Sequence, residues 1–225
     1  MTEVILLSDP RVSGVRVTDN GEPLADARDA TWLRVDGRKA DADGSYAHLR
    51  TDVLSRLLLA QRQLPDGIGF LLVEGYRPPG LQRRYFDRYA TGLRAAHPDA
   101  SPERIRELAS AYISPPEVAP HVSGGAVDLT LCTEDGTELP LGSELNATPE
   151  ESAGRCRTAA PGITAEARAN RELMDRALTA GGFVNYPTEW WHWSYGDRYW
   201  ALLTGAPSAL YGPVTRAADR SAPPS

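Results

Sequence analysis

Apolar and polar positions along this chain follow two periods, one close to that of a helix and one that of a strand. Val4-Ile5-Leu6-Leu7 reads as a short strand ending at the Ser8-Asp9-Pro10 turn. From Val12 to Tyr46 the pattern is weak, with Asp19-Asn20-Gly21 and Asp43-Gly44 marking turns and Trp32 expected as a packing anchor. Leu49, Val53, Leu54, Leu57, Leu58 and Gln61 recur at helical spacing, and Pro65-Asp66-Gly67 stops that helix. Ile68 to Val73 is an almost wholly apolar run, as a buried strand requires. It opens into Glu74-Gly75-Tyr76-Arg77-Pro78-Pro79.

Leu81, Tyr85, Phe86, Tyr89 and Leu93 form the next helical stripe. A further helix starts at Ser101-Pro102-Glu103, with Ser101 as N-cap, carries Ile105, Leu108, Ala109 and Tyr112, and ends at Pro115-Pro116. Thr137 to Pro161 is polar and irregular, and a loop of that length inside a domain is usually functional or disordered. Thr164 caps a helix with Leu173, Met174, Ala177 and Leu178, closed by Gly181-Gly182. Phe183 to Tyr186 and Trp191 to Trp193 read as strands around a Pro187-Thr188 turn. Helices and short strands interleave irregularly, so the expected class is α+β, with one domain over residues 1–214 and a disordered tail over 215–225.

Composition narrows the function. The 225 residues are 41% hydrophobic and 24% charged, which suits a soluble domain with a sizeable core. A net charge of -6 argues against nucleic acid or an anionic membrane as the main partner. No apolar run approaches the roughly 20 residues of a membrane span, and the first residues carry neither a basic leader nor a full apolar signal segment, so a cytoplasmic location is expected. Cys132 and Cys156 are expected as free thiols in such a compartment, and neither belongs to a Cys-x-x-Cys motif that would bind metal. The sequence leaves the oligomeric state open.

The chain has four histidines, and two of them, His121 and His192, share a short segment with an acidic residue in apolar or aromatic surroundings. His121-Val-Ser-Gly-Gly-Ala-Val-Asp128 leads into the apolar Leu129-Thr130-Leu131, and Glu189-Trp190-Trp191-His192 follows later. His97, in His97-Pro98-Asp99, is expected to be exposed in a loop. Pro120 and Gly124-Gly125 argue against a helix, so His121 belongs on a loop feeding a strand that bears Asp128. Asp128 either caps a turn or, being set between Val127 and Leu129, is buried and needs a partner or a metal. Glu189 and His192 would face opposite sides of a regular strand and serve one site only if a turn or bulge lies between them. Arg77 is either half of a surface ion pair with Glu74 or a cation presented at a strand end.

Taken together, His121, Asp128 and His192 make a plausible three-ligand site, with a fourth position open to water whose pKa falls to about 7 on zinc. Glu189 can take the proton of that water and pass it to a leaving amine, and Arg77 can hold the developing oxyanion. Non-haem Fe(II) oxygenases use the same ligand types, but usually two apart on a strand of an all-β barrel, which this helix-rich chain does not fit.

Glu74-Gly75-Tyr76-Arg77-Pro78, His121-x6-Asp128, Gly181-Gly182-Phe183 and Glu189-Trp190-Trp191-His192 together resemble the D-alanyl-D-alanine dipeptidases of the glycopeptide-resistance type. These zinc peptidases share their fold with D,D-carboxypeptidases and hedgehog signalling domains. The resemblance implies a small central antiparallel sheet flanked by helices and one zinc ion on His121, Asp128 and His192. It also implies Glu189 as general base, Arg77 as transition-state stabiliser, and Asn146, Tyr76 and Trp191 near the substrate. The implied reaction is hydrolysis of a D,D-dipeptide in a pocket that rejects longer peptides. A D,D-carboxypeptidase or endopeptidase on peptidoglycan peptides and a non-catalytic zinc-dependent binding domain are the alternatives. Two positions depart from the resistance enzymes: Ala119 stands where they carry serine, and Asn146 where they carry an aspartate for the substrate amine. Loss of that carboxylate removes a charge-assisted contact worth roughly 1.5–3 kcal/mol, for which Glu144, Glu150 and Glu151 are the candidate substitutes.

Overall fold

The computed structural model describes residues 4–110 and 113–214. Tyr112 and the tail over residues 215–225, for which expectations were stated, lie outside them. The chain divides into two units, one of residues 22–76 and 125–195, the other of residues 1–21, 77–124 and 196–225.

The first unit is built on a five-stranded sheet. Its strands are β2 (Arg34–Val35), β4 (Ile68–Glu74), β5 (Ala126–Thr133), β7 (His192–Ser194) and β6 (Val184–Asn185), in that spatial order. All neighbours are antiparallel except the edge strand β2, which runs parallel to β4. β4 and β5 form its centre. From Phe70 to Glu74 every residue of β4 is buried, as is every residue of β5 up to Cys132, which explains the unbroken apolar run. Full burial of Phe70, Leu72 or Val73 contributes roughly 1.5–3 kcal/mol each. The register slips between Leu72 and Glu74, where a bulge brings Glu74 opposite Asp128.

A second sheet pairs β1 (Leu24–Asp26) with β3 (His48–Arg50). Leu49 therefore sits in a strand, not at the head of the helix whose spacing it shares. The helix itself, α2, spans Thr51–Gln61 and buries Val53, Leu57 and Ala60. α5 (Ala165–Ala180) begins where Thr164 Oγ1 accepts the Ala167 N–H at 3.1 Å, and packs with α2. Trp32 is half-buried and the adjacent Leu33 is buried. The thiols of Cys132 and Cys156 are buried and unpaired.

In the second unit, residues 4–7 form no strand; Asp9 instead caps the short helix α1 (Pro10–Ser13) by accepting the Arg11 N–H. Pro10 opens that helix, where its missing N–H leaves no helical bond unmade. α3 (Pro79–Ala96) and α4 (Pro102–Ser110) pack through Phe86, Ala90, Ile105 and Ala109. Ser101 Oγ accepts the Arg104 N–H at 3.2 Å, the expected cap. α6 (Arg198–Thr204) packs against α1.

Candidate metal centre

β5 and β7 place Asp128 directly opposite His192. Oδ1 of Asp128 lies 2.9 Å from Nδ1 of His192, and the two residues are 2% and 4% exposed. His121 is held in a 3-10 turn, Pro120–Ser123, whose first residue is proline and whose end is Gly124 at φ 72. The left-handed backbone at Gly124 is one that glycine adopts without steric cost. It lets the Gly124 N–H donate to the His121 carbonyl at 3.2 Å, while Ser123 Oγ donates to the Pro120 carbonyl at 2.7 Å. His121 is 4% exposed.

One ligand-capable atom from each of His121, Asp128 and His192 lies within 4.8 Å of the other two. Donors bound at about 2.0–2.1 Å to a tetrahedral ion stand roughly 3.3 Å apart, a spacing these side chains accommodate. Two imidazoles and a carboxylate, all withdrawn from solvent, form a donor set of the kind that suits zinc with a position left open. Burying a carboxylate here without a partner cation would be costly.

Glu189 is half-buried and stands at the junction of two turns. Its N–H donates to the Tyr186 carbonyl at 2.9 Å, and its carbonyl accepts the His192 N–H at 3.2 Å. A turn therefore lies between Glu189 and His192, which is the geometry that a shared site requires. The ring of Tyr186 meets His192 edge-on at 5.9 Å.

Arg77 is half-buried, and its backbone N–H donates to the His121 carbonyl at 3.1 Å. Nη1 donates to Gln82 Oε1 at 2.7 Å, and the guanidinium lies 5.3 Å from the centre of the Tyr85 ring. Gln82 is buried and fixed in turn by donating to the Ser114 carbonyl at 2.8 Å. Gly75, just before this segment, has no room for a side chain: a Cβ would stand 2.5 Å from the His48 carbonyl oxygen. Tyr76 is wholly buried, Trp191 is buried with an indole Nε1–H that has no hydrogen-bond partner among the described residues, and Asn146 is exposed at φ 66. Ala119, buried beside the His121 turn, offers no hydroxyl.

The irregular stretch from Thr137 to Pro161 is ordered by a residue that was not singled out from the sequence. Arg171 of α5 is 5% exposed and donates to the carbonyls of Leu141, Arg155, Arg157 and Thr158 at 2.6–3.1 Å. Burial pulls its guanidinium down to about 10, so it remains a cation at neutral pH. The same guanidinium lies 5.6 Å from the Trp190 ring centre, and Trp190 Nε1 donates to Ser143 Oγ at 2.9 Å. Its position had a signal: Arg171 falls on the stripe of Ala167, Met174 and Leu178, where only a buried residue belongs. Gln82 sits in the same way on the stripe of Phe86 and Ala90.

Residues 22–204 match the peptidase family M15, described as D-Ala-D-Ala dipeptidase. The D-alanyl-D-alanine dipeptidase of Enterococcus faecium is 30% identical over 178 residues, covering 76% of this chain and 85% of that protein. That of Streptomyces coelicolor is 30% identical over 200 residues, covering 86% and 92%. That of Synechocystis is 26% identical over 224 residues, covering 83% and 87%.

Proposed function

The chain belongs to the D-Ala-D-Ala dipeptidase family of M15 metallopeptidases, and on that footing we propose that it hydrolyses D-Ala-D-Ala or a closely related small dipeptide with one zinc ion on His121, Asp128 and His192. The observation that carries this reading is the buried His-Asp-His group, formed by residues seven and sixty-four positions apart. Zinc, when bound, supplies a Lewis acid that makes water acidic near neutral pH.

The remaining roles fall to side chains. Glu189 accepts a proton from the attacking water and returns it to the departing amine, so acid and base are one carboxyl group. Arg77, held by Gln82 and Tyr85, presents a positive charge to the oxyanion that develops as the peptide carbonyl is attacked. Trp191 has an unused buried N–H for a substrate acceptor, Tyr76 shapes the backbone before Arg77, and Asn146 stands in for the carboxylate that reads a free amine. Residues 1–214 act as one enzyme, and the setting is cytoplasmic. No helix among the described residues is long and apolar enough to cross a membrane.

The test is a panel of free dipeptides incubated with zinc-quantified protein: D-Ala-D-Ala, D-Ala-Gly, L-Ala-D-Ala, L-Ala-L-Ala and N-acetylated D-Ala-D-Ala. Rapid cleavage of D-Ala-D-Ala, with the acetylated form spared, is the expected result and shows that a free amine is read. Cleavage of the acetylated form would move the assignment to a carboxypeptidase.

A further inference from the structure

The turn joining Glu189 to His192 is clamped by one side chain. Asn185 Nδ2 donates to the Glu189 carbonyl at 3.1 Å and to the His192 carbonyl at 3.0 Å, so a single carboxamide spans both ends of the turn. Its Oδ1 accepts the Thr158 hydroxyl at 2.6 Å. Two carbonyls demand two N–H donors and the hydroxyl then needs an acceptor, which fixes how the amide faces. Aspartate has the same shape but would set a carboxylate oxygen against two carbonyl oxygens.

Thr158 is itself anchored. Its N–H donates to the Pro187 carbonyl at 3.1 Å, its carbonyl accepts from Arg171 at 3.1 Å, and the neighbouring Cys156 carbonyl accepts the Trp190 N–H at 2.9 Å. The end of the irregular loop is thus laced to the turn on both sides of Glu189.

We infer that Asn185 is a positioning residue for the Glu189–His192 turn, with Thr158 fixing the direction of its carboxamide. The role rests on the assignment above of Glu189 as base and His192 as zinc ligand. Reacting groups must be held to within about 0.5 Å, and this turn sets the separation of proton acceptor and ligand imidazole.

The experiment uses the full zinc-loaded chain with D-Ala-D-Ala and the variants Asn185→Asp, Thr158→Val and Thr158→Ser. Asn185→Asp is expected to lower kcat roughly 10–100-fold and to weaken zinc retention against a chelator by a similar factor. Because Trp191 lies in the same turn, KM is free to rise, and kcat at saturating substrate isolates the effect on the chemical step. Thr158→Val should lose about 5–10-fold in kcat, and Thr158→Ser, which keeps the hydroxyl, should return to within about twofold of the parent. A folded Asn185→Asp protein with unchanged kcat and unchanged zinc retention overturns the inference. So does a Thr158→Ser protein as impaired as Thr158→Val, because packing of the methyl would then be responsible. If Asn185→Asp does not fold, the Thr158 pair decides. If the parent fails to cleave D-Ala-D-Ala, the functional reading falls, and zinc retention measured without substrate decides the positioning role alone.

Discussion

Asp128 and His192 face each other across two antiparallel strands, with Oδ1 of one 2.9 Å from Nδ1 of the other and both sealed from solvent. A backbone register, rather than a flexible loop, sets their separation. Asp128→Asn keeps the volume and removes the charge. Metal content measured by atomic spectrometry should fall well below one zinc per chain, and activity should drop at least about 10-fold with it. Chelation of the parent should lower its stability toward urea, because an ion bound only by the folded state contributes about 4 kcal/mol at a free concentration 1,000 times Kd. Full zinc occupancy in Asp128→Asn would remove Asp128 from the ligand set.

Glu189 does not belong to the three-residue donor group. Glu189→Gln should therefore keep its zinc while losing roughly 10²–10⁴-fold in kcat, the range for removal of a general acid-base. Steady-state kinetics beside metal analysis reads both. A variant that loses zinc in proportion to activity would make Glu189 a ligand instead of a base.

Arg77 donates to Gln82 and lies over the Tyr85 ring. Arg77→Ala should cost about 10²–10³-fold in kcat, as removal of an oxyanion donor does. Gln82→Leu leaves the charge but removes one of the contacts that orient the guanidinium, and should cost less than Arg77→Ala. An equal or larger loss in Gln82→Leu, in a folded protein, would mean that Gln82 matters for another reason.

Arg171→Met retains length but removes the guanidinium donor from four backbone carbonyls, of which Arg157 keeps the Ala160 N–H. Destabilisation of about 2–4 kcal/mol is expected in urea unfolding. Limited proteolysis should find new cleavage between Thr137 and Pro161. Proteolytic resistance equal to the parent would show that the loop is ordered without Arg171.

Asp26 carries a pH signature. Hydrogen bonding by the Arg28 side chain, chiefly, holds its carboxyl down to about 2 despite partial burial. The folded pKa lies below the ordinary value near 3.8, so the contribution is complete above that value and is lost as pH falls through about 2. Exposure of the pair limits it to about 1 kcal/mol or less. The Tm difference between parent and Asp26→Asn should therefore shrink steadily from pH 5 toward about pH 2. A difference unchanged over that range would show that the carboxylate charge contributes nothing.

The strongly patterned elements were legible in the sequence. The apolar run of β4, the capped helix α5 and the strands on either side of Pro187-Thr188 all stand where periodicity and turn chemistry put them. β1 and β2 are as short as β6 and β7 and show no alternation, but they escaped because they pair with distant strands and no turn such as Pro187-Thr188 joins them to a partner. Leu49 was misplaced because its spacing fits a helix, while pairing with Ala25 holds it in a strand. Of the candidate site, the donor residues were visible from their rarity and setting. The clamp by Asn185 and the anchor at Arg171 depend on contacts with a loop that carries no pattern of its own.

The bulge in β4 imposes a parity rule on the chain. Side chains alternate between faces, and the extra residue between Leu72 and Glu74 resets that alternation once, bringing Glu74 rather than Val73 opposite Asp128. From there only three steps of chain lead to Arg77. A homologue that loses one residue between Ile68 and Glu74 must either shed the bulge or turn the rest of the strand over. A gap of one is therefore tolerated only at the bulge itself, between Leu72 and Glu74; elsewhere in the strand, changes of length should occur in twos, or Glu74 and the segment leading to Arg77 change faces.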